Sequence, residues 1–522
     1  CRLSGRVDYD AIVIGSGVGG LASAALLAKA AGWRVLVLER RWRVGGFTHA
    51  FRRGAFEWDV GLHYVGDLQE GGGTRRVFDA IAEGLEWARL PAPFDRFAYP
   101  DLTVDVPDDP AALLTDLQAR FPAEREGLER FFRLRQRAAH ELGALIAAKQ
   151  LRRRPERARL PEARFALKTT AEVTARCIRD PRLAAALLSQ WGDYGVPPRE
   201  SAFGAHAAVS AHYDHGGWYP VGGGGAIADA IVPAIEAAGG AVWASARASE
   251  ILLEGGRAAG VRVLRGRGRR AREVVVTAPR VLSNAGAMVT FGELLPREAV
   301  PEGVLADLRA LPPPPTVVTL YLGLAKPPSA FGLSGGNVWV FQDHDHDAPI
   351  DPLGGRPGVC YLSFPSARNP AVKASATPGH TAEIIMPAPG VFAPWEGTRW
   401  RRRGEGYEAL KAKLAEVMLD AVEPHAPGLG DAVVHRELST PLTIRELMGH
   451  DRGAIYGLPA VPARFRLPWL RARTPVPGVF LTGSDVGLHG IGGALMGGVV
   501  AAGMALGRFG PLRELLGALP FG

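Results

Sequence analysis

V-I-G-S-G-V-G-G at residues 13–20, followed by an apolar stretch ending in L-V-L-E at Glu39, decides the fold of this chain. Ala11 to Ile14 read as a buried strand, Val18 to Ala31 as an Ala/Leu helix and Val35 to Leu38 as a second strand. The glycines therefore sit where strand turns into helix, the context a dinucleotide fingerprint requires. Gly15 allows the tight turn, Gly17 lets main chain approach a pyrophosphate, and Gly20 lets the helix close on the sheet, with Gly19 in the same phosphate-facing turn. Glu39, at the end of the second strand, is placed to accept from the hydroxyls of an adenosine ribose.

The fingerprint alone does not separate FAD from NAD. Two further segments do. R-W-R-V-G-G-F-T-H-A-F (41–51) carries the pair Gly45-Gly46, which lets main chain pass against a flat or phosphorylated ligand. V-F-L-T-G-S-D (479–485) reads as a strand ending in a turn at Gly483, with Asp485 placed to accept a ribityl hydroxyl. A helix starting near Gly492, with Gly493 and Ala494 in its first turn, would aim N–H groups at the flavin end of the cofactor and stabilise the charge of reduced flavin. Between these ends, V-L-S-N-A-G (281–286) returns the chain toward the nucleotide through Asn284. A cofactor contacted by segments over 400 residues apart is one extended FAD, and Arg40 joins its contact set. The competing reading, NADP with Arg40 and Arg41 on a 2′-phosphate, explains only the first segment.

At 522 residues and 47% hydrophobic content, the chain has material for two cores. Its three cysteines, Cys1, Cys177 and Cys360, lack metal-ligand spacing and argue against a disulfide scaffold or a dithiol centre. Redox chemistry must then come from a bound cofactor. D-H-D-H-D (343–347) imitates a metal site, but its Pro/Gly-rich flank predicts an exposed polar loop, and no metal is expected. Val486 to Leu506 imitates a membrane span; its glycine and alanine content and its place after Asp485 fit a helix buried against a cofactor instead. The chain begins with Cys1 rather than Met, so this end carries no localisation argument. The net charge of +8 includes arginines clustered at 120–164, among them Arg130, Arg133, Arg135, Arg137 and Arg152 to Arg154, interleaved with Phe131, Phe132, Leu142 and Leu145. This basic amphipathic helix is either a solvated face or a peripheral contact to anionic lipid, giving a cytoplasmic protein with or without membrane contact. Nucleic acid is not expected, and oligomeric state is not encoded in any pattern.

A discontinuous cofactor domain is expected from 1–96, 215–299 and 431–522, with a substrate domain from 97–214 and 300–430. In the latter, Val317 to Leu322, Val338 to Phe341, Val359 to Phe364 and Thr381 to Met386 predict strands forming one wall of a substrate chamber. Leu128 to Gln150, Ala166 to Cys177 and Pro181 to Trp191 would cover it as a helical lid, with Trp191, Trp218, Trp339 and Trp400 as candidate lining.

F-E-W-D-V-G-L-H-Y-V-G (56–66), H-Y-D-H-G-G-W-Y-P-V-G-G (212–223), L-S-F-P-S-A-R-N-P (362–370), S-T-P-L-T (439–443) and F-L-T-G-S-D (480–485) occur in order along the chain. On these blocks the sequence resembles the retinol saturase branch of the phytoene desaturase and carotenoid isomerase flavoproteins, over nearly its whole length. His489 stands where animal members carry cysteine. The resemblance implies an α/β fold with a glutathione reductase-type Rossmann FAD domain and a second α+β substrate domain. It also implies backbone contact of Ala248 with adenine, and an apolar retinoid, carotenoid or other isoprenoid substrate. Saturating a conjugated C=C takes hydride at one carbon and a proton at its neighbour, so the protein must supply placement and a proton source. His63 and Tyr64, expected on a strand, are the candidate catalytic residues; His212, Tyr213, His215, Tyr219 and His489 are alternatives. NAD(P)H is a candidate electron donor. Desaturation and isomerisation are the nearest rival reactions, and a non-catalytic prenyl-binding escort is the rival from another class.

Overall fold

The computed structural model describes residues 8–151, 163–373 and 379–519. Its first sheet has five parallel strands in the order Val479–Leu481, Val281–Ser283, Ala11–Ile14, Val35–Leu38 and Ala241–Trp243. The four strands other than the edge strand Ala241–Trp243 are buried at every residue, as parallel strands covered on both faces must be. Three distant parts of the sequence thus meet in one sheet. The helix Val18–Ala31 follows the first strand and stops at Gly32, whose left-handed φ of 66° closes the last turn. Against it lies the helix Gly490–Leu506. Their small residues set the approach: a Cβ on Gly19 would strike Gly483, and one on Gly498 would come within 2.7 Å of the Gly19 carbonyl oxygen. The glycine and alanine of this C-terminal helix are therefore packing requirements. It begins at Gly490, two residues earlier than expected, and among the described residues no helix is long and apolar enough to cross a membrane.

Ala246–Glu254, Arg257–Arg265 and Arg272–Thr277 form an antiparallel three-stranded sheet, with the expected basic tip at the second turn. A bulge at Ser249 shifts the register from Ala248 opposite Val263 to Glu250 opposite Arg262.

The second large sheet has seven strands, in the order Val433–Ser439, Val317–Leu324, His380–Pro387, Val359–Ser363, Asn337–Phe341, Asp95–Ala98 and Thr103–Val106. All four strands anticipated for this unit are present. The strand Val433–Ser439 falls inside the range assigned to the cofactor domain, yet it pairs with Val317–Leu324; its inward residues Leu438 and Ser439 find their cover only there. Leu320, Leu322, Leu362 and Ile384 pack into a separate apolar core closed by the helix Glu405–Val422. Much of this sheet is therefore core rather than chamber wall.

The helix Arg125–Leu151 buries Phe131, Leu142 and Leu145 and leaves Arg130, Arg133 and Arg137 exposed. Its apolar face docks on the helix Phe203–His212. The arginines at 152–154 lie outside the described residues. The helix expected over Ala166 to Cys177 contracts to Thr170–Thr174, started by a capping box of Thr169 and Glu172. That expected at Pro181 to Trp191 ends at Leu188 and continues as a 3-10 turn, Ser189–Asp193.

A Cβ on Gly20 would run into the Gly15 carbonyl oxygen, a backbone atom that cannot swing aside. Gly20→Val should lower stability by about 1–3 kcal/mol or more, read as a reduced denaturation midpoint with unchanged slope in urea titration.

Candidate active site

The glycine turn is held from four sides. Gly15 adopts φ 95° and donates its N–H to the Leu38 carbonyl at 2.8 Å. Gly17 precedes the first helix without a side-chain cap, and Gly45 lies alongside it in a bridge. A Cβ on Gly46 would sit 2.9 Å from the Gly17 Cα, so the Gly45-Gly46 pair serves close passage of two backbones. The Asn284 side chain fills the fourth side: Cβ atoms on Gly17 and Gly483 would strike its amide, and its backbone N–H bonds the Ile14 carbonyl at 2.7 Å. Gly19 faces Gly483 and Ala494 rather than an open cleft.

Glu39 is buried, and Ser16 donates to it from both its N–H, at 3.1 Å, and its hydroxyl, at 2.6 Å. The Arg41 N–H bonds the other carboxylate oxygen at 2.7 Å. Arg40 is exposed beside Gly449. At the opposite end, the buried Asp485 accepts from the N–H groups of Ala287 at 2.7 Å and Leu458 at 2.9 Å. Gly492 packs against the His212 ring, Gly493 against the Leu488 carbonyl, and His489 precedes a helix that again lacks a side-chain cap. Two uncapped helix starts, two fixed carboxylates and glycine-lined backbone make the donor and acceptor set a dinucleotide uses, so the residues fit that cofactor.

Between the two large sheets lies a cluster of buried ionisable groups. His63 and Tyr64 belong to an extended segment rather than the expected strand: the Arg368 guanidinium donates to the His63 carbonyl at 2.7 Å, and Val65 bridges to Trp218. His63 Nδ1 stands 3.1 Å from Glu383 Oε2, an ion-pair separation without hydrogen-bond geometry. Burial, and then the Arg368 charge, pull this imidazole down to about 4, so it is neutral at pH 7. Asp59, near Glu383, accepts from the Tyr219 hydroxyl and from the Gly224 N–H at 2.8 Å. Burial, assisted by the Glu383 charge, still drives Asp59 up to about 7, and burial drives Glu383 well above the usual carboxyl range.

Tyr64 stacks on Tyr213 with ring centroids 4.4 Å apart. Its hydroxyl lies 3.0 Å from an oxygen of Asp95 and 3.2 Å from one of Asp193. Asn337 Nδ2 donates to Asp95 at 2.7 Å, while Asn337 Oδ1 accepts from Tyr361 at 2.6 Å and from Arg368. Burial raises Asp95 to about 6 and Asp193 well above a normal aspartate. Asp193, Tyr213 and Tyr456 are only partly buried, and Tyr213 lines the cleft described below. Tyr456 bonds the Gly192 carbonyl at 3.2 Å and meets His489 edge-on at 5.4 Å, linking this cleft to the start of the C-terminal helix.

A small apolar cavity, lined in part by Tyr213, opens on the same place. Phe94, Phe97, Leu117, Phe131, Phe132 and Tyr213 form its body, and Arg135 and Asp214, joined by two 2.8 Å bonds, mark a polar side. The four tryptophans proposed as lining do not face it. Trp339 packs on Tyr361, and Trp191 donates to His346 at 2.9 Å. The D-H-D-H-D loop is accordingly less exposed than expected, since His344 stacks on Tyr99 and His346 bonds both Trp191 and the Ala185 carbonyl. His215 is exposed and apart from the cleft, whereas His212 accepts from the Gly66 N–H at 2.9 Å. Sequence reading missed Asp59, Asp95, Asp193, Arg368 and Glu383. A glutamate inside the apolar strand T-A-E-I-I-M was the one local signal, because a buried strand seldom carries a carboxylate without a task.

The model of the family described as flavin containing amine oxidoreductase matches residues 18–390, most of the chain. The protein belongs to that family. This flavoprotein is an FAD-dependent oxidoreductase, as the glycine turn and its distant partners required. It is 31% identical to an all-trans-retinol 13,14-reductase of Danio rerio over 97% of this chain and 88% of that one. It is 28% identical to prolycopene isomerase 1, chloroplastic, of an Oncidium hybrid cultivar, over 92% of this chain and 80% of the relative. Among solved structures, putrescine oxidase bound to putrescine superposes with a TM-score of 0.64 at 16% identity, covering 96% of this chain and 99% of that one. That likeness concerns the fold of the flavoprotein alone.

Asp59 supplies a pH signature. Its carboxyl holds a proton in the folded protein up to about pH 7, while the unfolded chain releases it near the ordinary aspartate value of 3.8. Between these values the native state binds more protons, so the group's contribution falls as pH rises, by at most about 1.4 kcal/mol per unit. Asp59→Asn should lose less stability than the wild type between pH 4 and pH 7, measured by denaturant titration across that range.

Proposed function

We propose that this flavoprotein saturates a C=C bond of an apolar polyene or isoprenoid, of the retinoid or carotenoid kind. The observation that carries this reading is the double role of Tyr213, which lines the apolar cavity and stacks on Tyr64, whose hydroxyl meets two buried acids. A long hydrocarbon in the cavity is thereby led to a proton source. The reductase relative acts on all-trans-retinol by name, and the extent of that match supports a polyene here.

Gly15, Gly17, Gly19, Gly20, Gly45 and Gly46 would line the pyrophosphate and its approach, Glu39 the ribose, and Ala248 the adenine. Arg40 stays in this set as an outer contact. Asn284 would hold the turn, while Gly483, Asp485, Gly492, Gly493 and Ala494 would meet the ribityl and ring end. When bound, FAD supplies two-electron exchange with carbon at its N5 atom. The protein's own share is to hold the apolar chain in the cavity, exclude water by the Phe131 and Phe132 face, and present a proton at Tyr64 or His63. His63, neutral at pH 7, can accept a proton but holds none in excess, so the proton is presented from the Tyr64 side, by its hydroxyl or by an acid bonded to it. We assign the chain to a cofactor unit and a substrate unit, the latter extended to include Asp95–Ala98 and Val433–Ser439 because these strands pair in the seven-stranded sheet. A nicotinamide is the proposed source of electrons, and the exposed arginines of Arg125–Leu151 are the face that would touch anionic lipid.

Purified protein should be yellow. Incubated anaerobically with a chemical reductant and a panel of polyenes, it should yield a product heavier by two hydrogens. A lighter product would support desaturation, an isomeric one isomerisation, and a colourless protein a non-catalytic carrier. Tyr64→Phe should slow saturation by about 10²-fold or more while retaining flavin, read by single-turnover bleaching and product mass.

A further inference from the structure

One hydroxyl proton cannot satisfy two carboxylates. The Tyr64 oxygen lies within hydrogen-bond distance of both Asp95 and Asp193, and a phenol has a single O–H to donate. If both acids were ionised, one of the two contacts would be a lone-pair clash in a site from which water is largely excluded. The contacts close only if one acid is protonated and donates to Tyr64, while Tyr64 donates to the other. Asp95 has the partners of an anion: Asn337 donates to its second oxygen at 2.7 Å, and Arg368 stands behind Asn337. It is also fully sealed from solvent. Asp193 has no such donors in its hydrogen-bond set, and of the two it alone is partly exposed.

We infer that Asp193 is the protonated member of a three-residue group, Asp193–Tyr64–Asp95, and is the acid that delivers the proton to the substrate carbon. The inference rests on the proposed saturation of a C=C bond and assigns its proton source. Asp193 would be the catalytic residue, touching substrate across the cleft. Tyr64 and Asp95 are positioning residues: Tyr64 accepts from Asp193 and aims it, and the Asp95 charge holds the proton on Asp193 until an electron-rich carbon draws it off. The balance is simple. The alkene gains hydride at one carbon, with both electrons originating in the reductant, a nicotinamide or dithionite. The resulting carbanion takes the proton from the Asp193 O–H, whose bonding pair remains on the carboxylate. A new C–H bond forms, one O–H bond breaks, and the acid is recharged from water through the cleft. The groups facing this triad are Tyr213, Tyr361, Tyr456, Asn337 and Arg368, from five different segments of the chain. Of these, only Arg368 carries charge at neutral pH, and it sits on the Asp95 side, where it favours that partner's ionised form.

Infrared difference spectroscopy of the holoprotein, wild type minus Asp193→Asn, tests the assignment without turnover. The expected result at neutral pH is a protonated-carboxyl C=O band that shifts in D2O. In Asp95→Asn, which removes the neighbouring negative charge, the same band should titrate away at lower pH than in wild type. Tyr64→Phe, a near-isosteric change, should shift the band's frequency and serves if Asp193→Asn does not fold. In anaerobic single turnover, Asp193→Asn should slow product formation about 10²-fold or more with flavin content unchanged. The absence of the band, its indifference to Asp95→Asn, or wild-type turnover by Asp193→Asn would overturn the inference. A correct band pattern with no polyene saturated would overturn the proposed reaction and leave the shared proton standing.

Discussion

Parallel strands cannot be joined by a tight hairpin, and this constraint shapes the molecule. The strand Ala11–Ile14 has Val35–Leu38 on one side through the short helix crossover, but its other neighbour, Val281–Ser283, comes from beyond residue 280, and the next, Val479–Leu481, from the far end of the chain. Asn284 is the pin of this assembly. Its backbone bonds the end of the first strand, and its amide fills the space between Gly17, Gly20 and Gly483. The Asn284 side chain thus joins the Gly19–Gly483 approach and the Thr482 bond to the Gly19 carbonyl in fixing the glycine turn against the C-terminal turn, a frame for a cofactor spanning both ends.

The cleft between the sheets obeys a different logic. Asp59, Asp95, Asp193 and Glu383 are carboxyls taken out of water, a cost that apolar packing would avoid. Hydrogen bonds from Tyr219, Gly224, Asn337 and Tyr64 offset part of it. The remainder appears as raised proton affinity. Stability is given up at this cluster, a common sign of a functional site.

Periodicity made much of the architecture legible. The turn at 13–20, the strands at 317–324, 337–341, 359–363 and 380–387, and the C-terminal helix all follow from local pattern, because burial on one or both faces writes itself into neighbouring residues. The site was legible only at His63, Tyr64, Tyr213 and Tyr219, which lie in blocks dense with aromatic and histidine residues. Asp193, in W-G-D-Y, looks like any loop aspartate until the fold brings it 3.2 Å from Tyr64, 129 residues away in sequence. Conversely, the tryptophans that suggested a chamber are structural. Trp191 donates its indole N–H to His346 at 2.9 Å, and Trp339 packs among aromatic rings. Bulk alone does not distinguish a lining residue from a core one.

The path of the chain between the two large sheets has a mechanical result. Successive strands at 35–38, 95–106, 241–283, 317–439 and 479–481 alternate between them, so the backbone crosses from one to the other four times. Four covalent straps running side by side resist the scissor-like separation by which a singly tethered pair of lobes would gape. Leu117, Phe131 and Tyr213, which line the cavity, all lie in one of these crossings, the chain between the strands Thr103–Val106 and Ala241–Trp243, and that stretch is anchored to a sheet at each end.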